Sequence, residues 1–79
     1  MFVTIDLLKK NGFKQIATRN LFLRESDGVL VSLFGENNTR MSFPGKYVLG
    51  STISIETTRS DEKGINSFLQ SFDKSPLHD

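Results

Sequence analysis

The feature that most constrains the fold of this 79-residue chain is a set of apolar side chains at helical spacing near its C-terminus. Their positions are i, i+3, i+4 and i+7, so they form one apolar stripe along a helix. The stripe consists of Ile65, Phe68, Leu69 and Phe72. A helix of this kind is stable when a second layer covers its stripe, so the rest of the chain has to supply that layer.

The ends of this helix suggest where the folded domain stops. Ser60 or Asp61 is suited to cap the start of the helix. The segment Lys74-Ser75-Pro76 ends it, because proline cannot continue a helix. We therefore expect a single α+β domain over residues 1–74 and a flexible C-terminal tail over residues 75–79.

A shorter helix is predicted from Thr4 to Asn11. Thr4 is a good N-cap residue, and Lys9 and Lys10 fall in the last turn, where the helix dipole favours positive charge. Gly12 follows Asn11 and can adopt the positive φ that often ends a helix. Local helix energetics therefore account for most of this basic stretch.

Between the helices, β-branched and aromatic runs separated by turn signals predict an antiparallel meander of three to five strands. Ser26-Asp27-Gly28 is a strong hairpin signal, and Phe43-Pro44-Gly45-Lys46 fits a type II turn. The candidate strands are 14–19 and 20–25 (one interrupted strand or two short ones), Val29–Phe34, Thr39–Phe43 and Tyr47–Thr58. The expected fold is α+β, in the order helix, three to five strands, helix, with both helices packed on one face of the sheet.

The residues that most enzymes use for covalent or metal chemistry are scarce. The chain has no cysteine, and its one histidine, His78, is the penultimate residue. Neither a thiolate nucleophile nor a Cys/His zinc site can be built from this set. We therefore predict no catalytic residue, no metal and no cofactor, and we interpret the chain as a non-enzyme.

The same composition indicates a compartment. Asp6 and the Lys9-Lys10 pair interrupt the first apolar run, and no run approaches the roughly 20 apolar residues that span a bilayer. A small secreted domain is commonly held by disulfides, which this chain cannot form. We expect a cytoplasmic protein with no membrane partner.

The stretch LLKKNGFKQI, residues 7–16, resembles the first helix and strand of HicA-type messenger-RNA interferases. The resemblance implies an RNA-acting enzyme that uses a histidine soon afterwards in the sheet. The segment that follows here, ATRNLFLRESDG, contains no histidine, so this activity is a distant alternative. The order of elements is also similar to that of the double-stranded RNA-binding domain. The lysine cluster that begins that domain's last helix is replaced here by the acidic SDEKGIN.

The missing catalytic groups and the apolar surplus favour a protein-binding module, such as an inhibitor, an adaptor or an accessory protein. If one face of the sheet is left uncovered, its apolar residues would form an exposed patch. The candidate protein-binding residues are Phe22, Leu30, Ser32 and Phe34. The alternative is that these residues are simply core. Self-association through this face or through an edge strand, giving a homodimer, is a corollary.

A second hypothesis is nucleic-acid binding. Residues 1–24 carry five basic residues against one acidic residue, whereas the remainder carries five basic and eight acidic residues. The candidate nucleic-acid-binding residues are Lys9, Lys10, Lys14, Arg19 and Arg24. The alternative is an ordinary solvated surface, and the isoelectric point of about 8.1 is below the value above 9 that is typical of such binders.

Overall fold

The computed structural model describes residues 1–17 and 20–79. These residues form a five-stranded antiparallel sheet, in the order β1-β2-β3-β4-β5, and two helices. The α+β class expected from the sequence is thereby confirmed. The elements, in chain order, are α1 (Ile5–Lys10), β1 (Lys14–Gln15), β2 (Leu21–Arg24), β3 (Val29–Phe34), β4 (Asn38–Pro44), β5 (Thr52–Thr58) and α2 (Glu62–Ser71).

Helix α1 has the boundaries that its capping residues predict. The Thr4 hydroxyl accepts a hydrogen bond from the Leu7 amide at 3.1 Å, which satisfies one of the unpaired amides at the helix start. Asn11 is the C-cap, and Gly12 follows with a φ of 86°, a conformation that favours glycine. Phe13 is then buried, so the chain enters the sheet directly from the helix end.

The strand register determines which side chains reach the core. Phe22 of β2 lies opposite Val31 of β3, which in turn lies opposite Met41 of β4. Since residues two apart on a strand share a face, the buried positions of β3 and β4 alternate with more exposed ones. The core is a single cluster that also contains the buried residues of both helices. Its members are Val3, Leu7, Leu8, Phe13, Phe22, Val29, Val31, Leu33, Met41, Phe43, Ile65, Leu69 and Leu77.

Three predicted strand boundaries differ from the structure. Strand β4 runs through Pro44, so the chain reverses after that residue and not at Phe43–Lys46. Residues 45–51 form a loop, whereas the sequence interpretation continued the sheet through Tyr47. Strand β1 has only two residues, and Thr18 and Arg19, which were included in the predicted strand 14–19, lie outside the described residues.

Helix α2 is capped by Asp61. One carboxylate oxygen of Asp61 accepts the Gly64 amide at 3.0 Å, and the other accepts the Thr57 hydroxyl at 2.7 Å. The Thr57 hydrogen bond and then the Gly64 amide lower the pKa of Asp61 below its ordinary value. The predicted stripe faces inward at Ile65 and Leu69, which are buried.

The aromatic members of the stripe form a cluster at the edge of the core. The Phe43 ring centroid of β4 lies 5.6 Å from that of Phe68 and 5.3 Å from that of Phe72. Phe68 is half-buried, and Phe72 keeps much of its surface exposed. The Phe43–Phe72 pair is edge-to-face, and a pair of this kind contributes about 0.5–1.5 kcal/mol beyond its burial.

The C-terminal segment packs against the domain, which differs from the loose tail expected from the sequence. Leu77 is 2% exposed and belongs to the core cluster. The side-chain amide of Asn66 accepts the Leu77 amide at 2.9 Å and donates to the Leu77 carbonyl at 3.3 Å. Asn11 holds His78 in the same way, with both bonds at 2.9 Å. Two asparagine side chains thus pair with the backbone of residues 77 and 78.

Neither helix in the described part of the chain is long and apolar enough to cross a membrane.

The lowered pKa of Asp61 predicts a loss of stability in acid. A carboxyl whose pKa is lower in the folded state stabilises the fold above its unfolded pKa of about 3.9, and this contribution disappears as the pH falls through the folded pKa. Urea unfolding from pH 7 to pH 2.5 should therefore show a smaller loss of stability in Asp61→Asn than in the native chain. Thr57→Val should raise the Asp61 pKa in an NMR titration. An unchanged Asp61 pKa in Thr57→Val would contradict the assigned cause.

The burial of Leu77 predicts that the C-terminal segment stabilises the fold. Leu77→Ala removes a core side chain and should lower the free energy of unfolding by about 2–4 kcal/mol in urea denaturation. His78→Ala is the matched control, because the contacts of His78 with Asn11 are made by its backbone. It should change the free energy of unfolding by less than about 0.5 kcal/mol. Equal effects of the two substitutions would mean that the segment is not docked.

Candidate functional site

Among the described residues, the large apolar side chains with the highest exposure lie together in the loop between β4 and β5. Tyr47 is 93% exposed, Val48 is 65% exposed and Leu49 is fully exposed. Single exposed apolar residues are ordinary on protein surfaces, but three consecutive ones on a loop form a patch. We call residues 47–49 the apolar tip.

Hydrogen bonds at the base of this loop determine how the apolar tip is presented. The Gly45 amide donates to the Ser51 carbonyl at 2.8 Å, which closes the loop where the two strands end. The amide and the hydroxyl of Ser51 both donate to the Val48 carbonyl, at 3.1 and 2.8 Å. Gly50 has a φ of 81°, which a residue with a side chain would adopt only at a cost. The backbone is thus held by its own bonds while the side chains point outward.

A shallow groove lies beside the apolar tip. It has a volume of ≈ 410 Å³, and Tyr47 belongs to its lining. Phe43 and Phe72 contribute aromatic surface to it, and Ile53 of β5 contributes aliphatic surface. The groove and the apolar tip therefore form one continuous surface that is mostly apolar.

The basic residues around this groove are held differently. The ammonium of Lys74 lies 4.8 Å from the Phe43 ring centroid and donates to the Asp27 carbonyl at 3.1 Å. Lys46 also lines the groove and is exposed. Lys74 therefore braces the aromatic cluster, and Lys46 adds positive charge beside the apolar tip.

The structure divides the predicted protein-binding residues between two faces. Phe22 is fully buried in the core and lies opposite Val31, so its assignment to the exposed patch is wrong. Leu30, Ser32 and Phe34 alternate with the buried residues of β3 and share the other face of that strand. Leu30 and Ser32 are half-buried, and Phe34 is exposed.

A charged pair, Arg40 and Glu56, lies beside Phe34 on this second face of the sheet. The guanidinium carbon of Arg40 lies 5.6 Å from the Phe34 ring centroid, within the range of a cation–π contact. Arg40 is also ion-paired with Glu56 of β5. The face around Phe34 is therefore less apolar than its sequence pattern suggests, and the apolar tip is the more exposed hydrophobic surface.

The predicted nucleic-acid-binding residues do not form one group. Lys9 and Lys10 are exposed at the end of α1, whereas Lys14 lies on the sheet edge and is ion-paired with Glu25 at 3.2 Å. Arg19 lies outside the described residues. Arg24 is 5% exposed, so a phosphate group could not reach it without disrupting the core.

The reason for the burial of Arg24 is structural. Its guanidinium donates to both carboxylate oxygens of Asp27, at 3.0 and 2.8 Å, and to the Ser75 carbonyl at 2.8 Å. It also stacks on Phe13 at 4.8 Å from the ring centroid. A buried guanidinium needs partners of this kind to offset its lost hydration, and here all of them come from the chain itself.

The apolar tip was missed because its sequence was interpreted as a strand. Tyr47, Val48 and Leu49 have the composition of a strand, but they are bracketed by Gly45-Lys46 and Gly50. Two glycines separated by four residues are a loop signal, and the bulky residues between them would have marked a presented patch.

No protein-family model matches this chain, and no curated protein or solved structure matches it. In residues 1–17 and 20–79, no group of three or more histidine, cysteine, aspartate or glutamate side chains could hold a metal ion.

The loop geometry predicts that the apolar tip can be changed without loss of folding. Leu49→Ser should change the free energy of unfolding by less than about 0.5 kcal/mol, because the Leu49 side chain is in solvent. Phe43→Ala removes the ring that joins the groove to the core and should cost about 3–5 kcal/mol. Both values can be measured by urea denaturation. A comparable cost for Leu49→Ser would mean that the apolar tip packs against the domain.

Proposed function

We propose that this protein is a non-catalytic protein-binding module that contacts its partner through the apolar tip and the adjoining groove. The observation that carries the proposal is the exposure of Tyr47, Val48 and Leu49 together on a hydrogen-bonded loop. Apolar side chains that stay in water contribute nothing to the stability of the fold. Their burial against a partner would make a favourable hydrophobic contribution to binding, and tyrosine is enriched among the interface residues that contribute most to affinity.

The magnitudes indicate that the groove takes part. Full burial of Val48 and Leu49 would contribute about 1.5–3 kcal/mol each. Association itself costs an estimated 4–15 kcal/mol in lost motion, so these two residues alone would give at most a weak complex. Phe72 and Ile53 in the groove supply further apolar surface. The partner surface we propose is therefore an apolar ridge or helix that fills the groove while a pocket on the partner receives the apolar tip.

The second face of the sheet is a secondary contact region in this proposal. We infer that α1 and α2 lie side by side on the face of Phe22 and Val31, because the buried residues of both helices belong to the same core cluster. This arrangement would leave the face of Leu30, Ser32 and Phe34 uncovered. A partner that extends beyond the groove could reach it, with a cytoplasmic setting as the expected location.

Nucleic-acid binding is the second proposal, and an RNA-acting enzyme remains the distant one. Among the described residues, the nucleic-acid proposal depends on Lys9 and Lys10, because Lys14 and Arg24 bond carboxylates of Glu25 and Asp27. Two adjacent lysines at a helix end are also what the helix dipole favours, so they give this proposal less support than the apolar tip gives the first.

The proposal can be tested by site-specific crosslinking. A photo-crosslinking side chain at Tyr47, expressed in the native host, should capture a protein partner. Leu49→Asp in the same chain should lower the yield of that crosslink by at least about tenfold, since it places a charge in the apolar contact. Ile16→Asp is the matched control, because Ile16 is an exposed apolar residue beside β1 at the opposite edge of the sheet. It should lower the yield by less than about twofold.

The same experiment separates the two proposals. Nuclease treatment before crosslinking should leave the yield unchanged when the partner is a protein. A filter-binding titration with RNA and with DNA, at low and at moderate salt, tests the second proposal directly. Salt-sensitive binding that Leu49→Asp leaves intact, together with no crosslink at Tyr47, would overturn the protein-binding proposal in favour of nucleic acid.

A further inference from the structure

The two edges of the sheet differ in length. Strand β1 forms one edge and has two residues, whereas β5 forms the other edge and has seven, Thr52–Thr58. An edge strand presents backbone groups that can pair with another strand. A two-residue edge such as β1 presents few free backbone amides and carbonyls, so β5 is the edge that could pair with another strand.

The register identifies which backbone groups of β5 point outward. The Gly45 amide bonds the Ser51 carbonyl at one end of the β4–β5 pair, and the Arg59 amide bonds the Asn37 carbonyl at the other. In an antiparallel pair the hydrogen-bonded positions alternate, so the odd-numbered residues of β5 bond β4. The amides and carbonyls of Ser54 and Glu56 therefore point away from the sheet. Within the described residues, no other segment donates or accepts a backbone hydrogen bond at these groups.

The residue types that proteins use to protect an edge are missing from β5. The sequence TISIETT has no lysine, no proline and no glycine. Its one charged side chain, Glu56, is ion-paired with Arg40 on the neighbouring strand, so the edge carries no unpaired charge. Ile53 and Ile55 pack against the core and are half-buried. The edge is thus long, nearly neutral and flanked by partly covered apolar residues.

We infer that β5 pairs with β5 of a second copy of this chain, antiparallel, with Ser54 opposite Ser54 and the two-fold axis between them. Three hydrogen-bonded pairs then form, with Ser54 facing itself at the centre and Thr52 facing Glu56 on each side. The two five-stranded sheets join into one continuous sheet of ten strands. The inference goes beyond the protein-binding proposal, since it concerns the backbone of β5 and a second copy of this chain, and not the apolar tip and a different protein.

Side-chain complementarity selects this register and this partner. On the core side, Ile53 of one copy lies opposite Ile55 of the other, so the half-buried isoleucines cover one another twice in each dimer. A register centred on Glu56 would instead place two carboxylates opposite each other, which is unfavourable. A second copy supplies a matching strand with the same spacing of isoleucines, and an unrelated extended segment would match only by coincidence.

A cysteine scan tests the register. The chain has no cysteine, so each introduced thiol is unique. In the proposed dimer the two Ser54 Cα atoms lie about 5.5 Å apart, within the range that a disulfide spans. Ser54→Cys should therefore form a covalent dimer under mild oxidation. Thr58→Cys is the matched control on the same strand and face. Its two copies lie about 27 Å apart, at about 3.4 Å per residue over eight residues, and should not crosslink.

Sedimentation velocity over a concentration series tests the association itself. The native chain should show a monomer–dimer equilibrium. Ser54→Lys should raise the dimer dissociation constant at least about fivefold, because two lysines then face each other at the axis. Ser42→Lys is the control, since Ser42 lies opposite Ser54 within the sheet on β4 and carries the same change away from the edge. It should leave the constant within about twofold.

Three outcomes would overturn the inference. The first is a native chain that stays monomeric throughout the concentration series. The second is equal crosslinking of Ser54→Cys and Thr58→Cys, which would indicate unspecific aggregation. The third is a dimer that Leu49→Asp disrupts and Ser54→Lys does not, which would place self-association at the apolar tip. The proposed function is judged separately, by the crosslink at Tyr47.

Discussion

The buried guanidinium of Arg24 joins parts of the chain that are far apart in sequence. It donates hydrogen bonds to Asp27 in the β2–β3 turn and to the Ser75 carbonyl, 51 residues away. It also stacks on the Phe13 ring. Removing Asp27 would leave the buried guanidinium without its ion-pair partner, which is among the most costly changes that a small domain can undergo. At Ser75 this ion ties the C-terminal segment to the sheet, and Asn66 and Asn11 hold the backbone of Leu77 and His78 further along the same segment.

The segment anchored by Arg24 also supports the groove. Lys74 immediately precedes Ser75. Its ammonium donates a hydrogen bond to the Asp27 carbonyl and lies over the Phe43 ring, so it links the β2–β3 turn to the aromatic cluster. Phe43 in turn contacts Phe68 and Phe72 of the α2 stripe. The groove surface is thus an extension of the core, and its shape follows from interactions that stabilise the fold.

Sequence reasoning succeeded where the determining interactions are local. The boundaries of α1 follow from Thr4 and Asn11, and the inward side of α2 follows from the spacing of Ile65 and Leu69. It failed where the determining interactions are distant. Arg24 was expected on the surface because most arginines are exposed, and a leucine at position 77 has no neighbours that form a periodic pattern. Arg24 also bonds Ser75, 51 residues away, and Leu77 bonds Asn66, 11 residues away, and only the folded chain brings these partners together.

The conformation of the apolar tip was also not predictable from residue type alone. Tyr47, Val48 and Leu49 have strand-forming side chains, and their loop conformation follows from the bonds that Ser51 makes to Gly45 and Val48. The signal for Phe22 was likewise ambiguous, because β2 and β3 carry apolar residues on both faces and only the register with Val31 shows which face is buried. Residue type identifies the apolar residues that could be exposed, and the pairing of strands determines which of them are.

The apolar tip and the β5 edge are neighbours, since the loop of residues 45–51 leads directly into β5. In the proposed pairing about Ser54, residue 50 of one copy lies opposite residue 58 of the other, so each apolar tip would lie close to the start of the second copy's α2.

Partner binding and self-association would then share part of the protein surface. Thermodynamic linkage requires each of the two binding events to change the affinity of the other by the same factor. A partner that needs the whole groove, including Ile53, would bind the monomer better and shift the population away from the dimer. A partner that inserts only the apolar tip would bind both forms, and the dimer would present two such tips at a separation determined by the joined sheet. The sign of the coupling between the two equilibria therefore reports how much of the groove the partner uses.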